Sequence, residues 1–256
     1  MQPAVDLRAK IATSNPVLGL LVNDHLWPGL VESAKRAGLD YIIVDLEHGA
    51  FDTGDVAAVC QIGRLANFPV LIRCVSTDSA VIGRALDMGP CGLMFPGIEE
   101  TATLDAVRDA IYMPPRGRRR PGGPVVDWLG DVQYDTWKRE VEDHLIILPQ
   151  IETGRGVENA REIARHEIVT SIAVGPYDLS ADLGCCYDPS APALKQALAT
   201  IREAGEAAQK AMWMIGSDAQ ALIAAGYHFL CIGEPMSILE SALRQQVAST
   251  RKPQTE

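Results

Sequence analysis

Eight short apolar segments, each followed by a longer amphipathic stretch, constrain the fold of this chain more than any other feature. Their apolar character is nearly continuous, as expected for parallel strands that are buried on both faces. No GxGxxG motif follows the first segment, so the alternation favours a closed (β/α)8 barrel, the TIM-barrel architecture, over an open dinucleotide-binding sheet. The predicted strands span residues 17–22, 41–46, 69–74, 91–96, 145–151, 170–175, 211–216 and 227–233.

The length and composition favour one α/β domain over residues 1–256. The formal net charge of −10 disfavours nucleic acid and anionic membranes as partners. The six cysteines contain no CxxC pair, so we expect reduced thiols that mostly lie in the core. The amino terminus has no signal-peptide core, and no apolar run approaches ~18 residues. These features predict a soluble, cytoplasmic protein.

In a barrel of this kind the active site lies at the carboxyl ends of the strands. Few polar residues stand at those positions, and all of them would meet at one mouth if the eight-strand prediction holds. They are Asp45, Glu47, His48, Arg73, Gln150, Glu152 and Asp178.

Glu152 and Asp178 follow successive predicted strands, which would place two carboxylates side by side. Paired carboxylates suit a hard divalent cation such as Mg²⁺, Mn²⁺ or Co²⁺ better than a metal that prefers thiolates. The alternative is that each acid only caps the helix that follows it, because acids are favoured at helix N-termini.

Arg73 ends a buried strand, where an unpaired charge is unfavourable. A substrate carboxylate or an enolate oxygen would satisfy its planar guanidinium. The alternative is an internal salt bridge with Asp45 or Glu47. His48 is a candidate proton shuttle, because histidine exchanges protons near neutral pH.

A Schiff-base aldolase needs a lysine that points into the barrel. The six lysines all fall in helical patterns or at the termini, and none ends a predicted strand. Any carbanion formed here would therefore need a metal ion to stabilise it.

Six segments of the chain together resemble the HpcH/HpaI aldolase family, in the expected order and spacing over about residues 15–240. These segments are YIIVDLEHGAFD, PVLIRCVSTDSAVIGRALDMGPCGLMFPGIE, YMPPRGRRRPGG, LPQIETGRGVENA, SIAVGPYDLSADLG and AAGYHFLCIGEPMSIL. The resemblance implies a (β/α)8 barrel of the phosphoenolpyruvate/pyruvate type. It also implies a metal-dependent aldolase that splits a 4-hydroxy-2-oxoacid into pyruvate and an aldehyde, as in the breakdown of aromatic compounds or sugar acids.

The resemblance further implies a homohexamer built as a trimer of dimers, with the C-terminal helix, about residues 235–249, exchanged between subunits. By position, Glu152 and Asp178 would bind the metal and Arg73 would stabilise the transition state. His48 would be the base, and Asp87 would raise its basicity. The implied substrate contacts are Gln150, Gly175, Pro176, Tyr177 and Asp178, with possible support from Asp45 and Glu47.

Two regions depart from the family pattern and bear on the aldehyde half of the substrate. Tyr177 stands where many family members carry a small residue. Its ring would either point into the mouth and reshape the aldehyde pocket, or point outward onto a loop or subunit. The irregular segment from Tyr112 to Asp143 includes an unusually basic run, RGRRRPGG, followed by a helix-like stretch over residues 133–144. Long loops in compact domains are often functional.

Three other functions remain open. CoA-ester lyases of the citrate lyase β and malyl-CoA type share the barrel and the carboxylate pair, but they usually run longer and carry a C-terminal lid. Oxaloacetate decarboxylation would use the same enolate. A non-catalytic barrel is disfavoured by the arginine, histidine and two carboxylates at one predicted mouth.

Overall fold

The computed structural model describes residues 1–120 and 133–251. Eight parallel strands form a closed barrel in sequence order, and β1 pairs with β8 through Val17 and Phe229. All eight predicted strands and the TIM-barrel fold are confirmed. The strands are β1 (Val17–Val22), β2 (Tyr41–Asp45), β3 (Val70–Arg73), β4 (Gly92–Phe95), β5 (Ile146–Ile151), β6 (Ser171–Val174), β7 (Ala211–Ile215) and β8 (Phe229–Cys231).

Helices connect and surround the strands. They are α1 (Gln2–Ile11), α2 (Leu30–Arg36), α3 (Thr53–Leu65), α4 (Ser79–Asp87), α5 (Thr101–Ile111), α6 (Tyr134–Glu140), α7 (Gly154–Glu158), α8 (Ala160–Arg165), α9 (Pro176–Asp182), α10 (Pro192–Ala207), α11 (Ala219–Ala224) and α12 (Pro235–Thr250). The helix-like stretch predicted over residues 133–144 is confirmed as α6 and a short 3-10 helix, Glu142–His144. Residues 121–132, which hold the last part of the basic run, lie outside the described residues.

Successive side chains of each strand alternate between two apolar layers, as the pleat of a strand requires. On β2, Tyr41 and Ile43 point into the barrel, whereas Ile42 and Val44 pack outward against the helices. Leu7, from the helix that precedes the barrel, packs into the interior layer and closes its amino-terminal end. The opposite, carboxyl-terminal end is left for the functional site.

One polar group crosses the barrel interior. The Tyr41 hydroxyl donates to the carbonyl oxygen of Leu230 at 2.8 Å and accepts a hydrogen bond from Nε1 of Trp213 at 2.8 Å. Its ring fills the space beside Gly19, where any Cβ atom would overlap with it. Burial raises the pKa of Tyr41 well above its ordinary value. This phenol therefore links β2, β7 and β8 across the core.

Four of the six cysteines lie in the core, as expected, while Cys185 is partly exposed and Cys186 is exposed. All six are free thiols. Burial raises the pKa of Cys74 to about 12 and that of Cys91 to about 11. None of the described helices is long and apolar enough to cross a membrane. The cytoplasmic location stays a prediction.

We predict that Tyr41→Phe lowers the free energy of unfolding by about 1–3 kcal/mol, because the buried indole N–H of Trp213 loses the hydroxyl that accepts its hydrogen bond. Tyr134→Phe is the matched control, since the buried Tyr134 hydroxyl has no hydrogen-bond partner among the described residues. Urea unfolding of both variants measures the difference. Equal stabilities for the two variants would contradict a structural role for the Tyr41 hydroxyl.

Candidate active site

A buried ion pair between neighbouring strands forms the floor of the barrel mouth. Asp45 and Arg73 are direct partners in the β2–β3 register. Nε of Arg73 donates to Oδ1 of Asp45 at 2.8 Å, and Nη2 donates to Oδ2 at 2.6 Å. Burial alone would lower the pKa of Arg73, but the hydrogen bonds and charge of Asp45 outweigh it and raise the pKa above its ordinary value. Arg73 is therefore a fixed cation.

Asp45 also holds the segment that follows β2. Its Oδ1 accepts the backbone N–H of Glu47 at 2.9 Å and that of His48 at 3.4 Å. The carboxylate of Glu47 lies 3.2 Å from Nη1 of Arg73 and 3.9 Å from Nε2 of His48. Burial raises the pKa of Glu47, although Arg73 opposes this shift. The internal salt bridge considered as an alternative for Arg73 is thus present, and Arg73 still lines the cavity at the mouth.

Glu152 lies almost buried just beyond the end of β5. Oε1 accepts a hydrogen bond from the backbone N–H of Gly97 at 2.6 Å, and Oε2 accepts one from Nε2 of Gln150. Burial raises the pKa of Glu152 to about 7, with a further contribution from the nearby Asp178 carboxylate. The next helix is capped by the side chain of Thr153, which accepts the N–H of Gly156. Glu152 is therefore not the cap of that helix.

Asp178 enters the mouth from the first turn of α9. Proline occupies the first position of this helix, where its fixed φ angle is favourable and its missing N–H leaves no bond unmade. The Asp178 side chain is exposed, and α9 has no side-chain cap hydrogen bond. Asp178 therefore stands where the helix dipole favours an acid, but it makes no capping hydrogen bond and its carboxylate remains available to a ligand.

Gly175 allows β6 to pass close to Glu152. A Cβ atom at this position would overlap with Oε2 of Glu152 and would lie 2.6 Å from Nε2 of Gln150. The absence of a side chain at position 175 therefore leaves room for these two polar side chains beside β6.

These elements surround a cavity of about 430 Å³ at the barrel mouth. Of the predicted site residues, the structure brings seven to its walls: His48, Arg73, Gln150, Gly175, Pro176, Tyr177 and Asp178. Asp45, Glu47 and Glu152 join this group through the contacts described above.

Asp87 is a predicted site residue that lies away from this mouth within a single chain. It is the last residue of α4, which runs from the carboxyl end of β3 toward the amino end of β4. Oδ1 of Asp87 accepts a hydrogen bond from Nη2 of Arg119 at 2.9 Å, beside a different cavity. Within one chain Asp87 therefore has no contact with His48.

The acid residues of the mouth fit a hard divalent cation. Within residues 1–120 and 133–251, no group of three or more His, Cys, Asp or Glu side chains is arranged to hold a metal ion. Two carboxylates, Glu152 and Asp178, are nevertheless what Mg²⁺ usually takes from a protein, with water and substrate oxygens completing its shell. The buried Oε1 of Gln150 has no partner among the described residues, so an oxygen ligand is also free there.

Lysine is not part of this cavity in the portion of the chain that the structure describes. Lys210 immediately precedes β7 and therefore lies at the opposite end of the barrel, where its ammonium donates to the carbonyl oxygen of Val169 at 2.6 Å. That the reaction uses no Schiff-base lysine stays a prediction.

The cavity has further lining residues that the sequence analysis did not find, and four of them carry polar groups: Asn23, Tyr187, Trp213 and Glu234. Asn23 follows β1 and donates to Oε1 of Glu234 at 2.9 Å, while its own buried Oδ1 lacks a partner among the described residues. Asn23 and Glu234 follow strand ends, a signal that could have found them. Tyr187 lies in a loop beyond α9, where no strand-end pattern marks it.

The fold and this mouth together define a (β/α)8-barrel enzyme with an acid-rich site that holds one arginine and one histidine. The chain belongs to the HpcH/HpaI aldolase/citrate lyase family, whose model matches residues 25–239. It is accordingly an enzyme, a carbon–carbon lyase of the aldolase type.

Similar proteins agree with this family. The hydroxypyruvate/pyruvate aldolase of Chromohalobacter salexigens is 29% identical over 222 residues, which cover 85% of this chain and 87% of that protein. The 2-keto-3-deoxy-L-rhamnonate aldolase of Shigella boydii is 29% identical over 225 residues, with coverages of 86% and 83%. The crystal structure of an HpcH/HpaI aldolase from Desulfitobacterium hafniense superposes with a TM-score of 0.89 at 27% identity, covering 98% of each chain.

We predict that Gly175→Ala lowers the rate of aldol cleavage on the order of 10²-fold, because displaced site groups lose that much when they move by about 1 Å. The added methyl group must push Gln150 and Glu152 away from β6. Gly54→Ala is the control, since a Cβ atom there meets nothing within 4 Å. Cleavage rates and thermal unfolding are compared for both variants. A folded Gly175→Ala enzyme with the wild-type rate would contradict this account of the site.

Proposed function

We propose that this enzyme is a divalent-metal-dependent aldolase that cleaves or forms a 4-hydroxy-2-oxoacid, with pyruvate and an aldehyde as the other partners. The observation that carries the proposal is the placement of Asp178, Arg73 and His48 on one cavity that, among the described residues, has no lysine, with Glu152 hydrogen-bonded to Gln150 on its wall. Similarity to pyruvate aldolases supports the same reaction.

Glu152 and Asp178 would hold Mg²⁺, Mn²⁺ or Co²⁺, and Gln150 would orient Glu152 through its hydrogen bond. A cation at these carboxylates supplies Lewis-acid polarisation of the 2-oxo group and stabilises the negative charge of a pyruvate enolate.

Arg73 would stabilise negative charge on the substrate. Asp45 fixes its guanidinium through two parallel hydrogen bonds, so the cation needs little reorganisation when charge develops in the transition state. Nη1 is closest to the partly exposed Glu47, and a substrate oxygen could share this donor. Arginine suits this task because its donors are planar and fixed relative to one another.

His48 would act as the general base. Its side chain is 62% exposed, so a proton that it accepts can pass to solvent. In the cleavage direction it takes the proton of the C4 hydroxyl, the C3–C4 bond breaks, and C4 leaves as the aldehyde carbonyl. The bonding electron pair remains on the three-carbon fragment as the enolate, and protonation at C3 gives pyruvate.

We predict that EDTA removes the aldolase activity and that Mg²⁺, Mn²⁺ or Co²⁺ restores it. Pyruvate release from a series of 4-hydroxy-2-oxoacids, followed with lactate dehydrogenase and NADH, measures this. Oxaloacetate in the same series tests the decarboxylase alternative. Activity that survives full chelation would show that no cation is needed, and inactivation by borohydride in the presence of pyruvate would reveal a Schiff base; either result would overturn the proposal.

Variants of the two carboxylates test whether they bind the metal. Glu152→Gln and Asp178→Asn should each lose metal affinity, measured by calorimetric titration of Mn²⁺, and should lose activity while remaining folded. Glu162→Gln removes a carboxylate from the exposed surface of α8 and should do neither. Wild-type metal binding in either site variant would mean that the two carboxylates do not hold the metal.

We also propose that α12 packs against another copy of the chain. The helix has no buried residue, and it exposes an apolar stripe at helical spacing formed by Met236, Leu239, Leu243 and Val247. Exposed apolar patches of this kind mark interaction surfaces. Exchange of this helix within a hexamer, as the resemblance implies, would cover the stripe. If Asp87 assists a histidine, that histidine would belong to another copy as well.

We predict that the double variant Leu239→Asp/Leu243→Asp lowers the molar mass in solution, because two buried carboxylates without partners are incompatible with a packed interface. Gln245→Asp, on the same exposed helix, is the control for added charge. Sedimentation velocity measures the mass of each variant. An unchanged assembly in the double variant would show that α12 is not an interface.

A further inference from the structure

Tyr187 has a backbone conformation that large side chains rarely adopt. Its φ angle is +58°, in the left-handed region, which is a genuine outlier for a bulky residue. Such residues persist only when their surroundings hold them, and they cluster at active sites and ligand clamps. Tyr187 lies on the wall of the barrel-mouth cavity, in the loop between α9 and α10.

A buried hydroxyl holds this conformation. The backbone N–H of Tyr187 donates to Oγ of Ser180 at 3.0 Å, and the same Oγ donates to the carbonyl oxygen of Tyr177 at 2.6 Å. A hydrogen bond from the backbone N–H of Asp188 to the carbonyl oxygen of Cys185, at 3.0 Å, closes the turn that contains Tyr187. One serine therefore ties the backbone of Tyr187 to the helix that carries Tyr177.

The two tyrosine rings form one apolar surface at the rim. Their centroids are 5.8 Å apart and their planes are inclined by 45°. The rings nevertheless remain open to solvent, since Tyr177 is 54% and Tyr187 is 70% exposed. Two exposed aromatic faces that lie side by side are suited to stacking on a flat ligand group.

The position of the rings indicates which part of the substrate they meet. Arg73 and Glu152 lie at strand ends, the deeper part of the mouth, whereas both tyrosines follow β6 in the outer part. If the pyruvate part is held by the deeper residues, as the proposed function requires, the remainder of a longer substrate projects outward past the rim. That remainder is the part that leaves as the aldehyde.

We propose that Tyr187 is a specificity residue that, together with Tyr177, selects aldehydes carrying a planar apolar group, such as an aromatic ring, over small polyhydroxylated aldehydes. This inference rests on the proposed function. Ser180 is a positioning residue that keeps the Tyr187 ring beside that of Tyr177.

The test compares benzaldehyde with glyceraldehyde as acceptors for pyruvate in the metal-loaded enzyme. Tyr187→Gly removes the ring while allowing the left-handed backbone, so its thermal stability should equal or exceed that of the wild type. We expect the ratio of kcat/KM for benzaldehyde to that for glyceraldehyde to fall roughly three- to tenfold, the size of one aromatic contact. Tyr187→Phe keeps the ring and should keep the ratio.

Two further variants separate local from general effects. Gln209→Gly changes another non-glycine residue with a left-handed backbone, at the far end of the barrel, and should leave the ratio unchanged. Ser180→Ala removes the acceptor of the Tyr187 backbone N–H and should lower the ratio in the same direction as Tyr187→Gly.

Exchange of the pyruvate methyl protons with D2O, without any aldehyde, tests enolate formation separately from the choice of the aldehyde. If the wild-type enzyme does not exchange these protons, the proposed function fails. If exchange occurs but Tyr187→Gly leaves the acceptor ratio unchanged, or lowers kcat/KM for both aldehydes equally, the specificity role is overturned while the proposed function stands. A loss in Tyr187→Phe equal to that in Tyr187→Gly would assign the effect to the hydroxyl and would also overturn the proposal.

Discussion

The Asp45–Arg73 ion pair is the interaction on which the mouth of this barrel depends. It joins two neighbouring strands at their last residues, and its carboxylate also holds the backbone of the following segment. Removing one partner of a buried pair typically destabilises a protein by about 3–5 kcal/mol, because the remaining charge is left without compensation. The pair therefore sets the floor of the site, the orientation of the guanidinium and the start of the loop that carries His48.

The balance of charge at the mouth links metal binding to substrate binding. The mouth collects the carboxylates of Asp45, Glu47, Glu152 and Asp178 around a single guanidinium. An anionic 2-oxoacid would meet net repulsion there, and such repulsion is strong where water is scarce. A divalent cation between Glu152 and Asp178 would offset two of these negative charges and give the anion a positive centre to bind, so that the cation and the anionic substrate would favour each other's binding. Low activity without a cation would then reflect weak substrate binding as well as slow chemistry.

The sequence was informative where one physical rule acted alone. All eight strands followed from continuous apolar runs, and the polar residues at their ends met at one mouth because the barrel is closed. The spacing of residues along the sequence could not decide whether Arg73 binds substrate or forms an ion pair. Its pairing with Asp45 depends on how β2 and β3 align in the folded sheet. Asp87 came from the resemblance, whose pattern does not state which copy of a chain contributes a residue. Tyr187 was missed because its position depends on a hydrogen bond to Ser180, seven residues earlier, across the end of α9 and an irregular loop.

The left-handed backbone at Tyr187 has a consequence for protein engineering. Replacing non-glycine residues that have positive φ angles is a routine route to heat-resistant enzymes, since glycine or asparagine relieves the local strain. Applied automatically to this chain, that procedure would treat position 187 in the same way as position 209. Only one of the two lies on the wall of the cavity. A library built for thermal tolerance would thus drift toward broader acceptor use, and a library built for selectivity should hold position 187 constant.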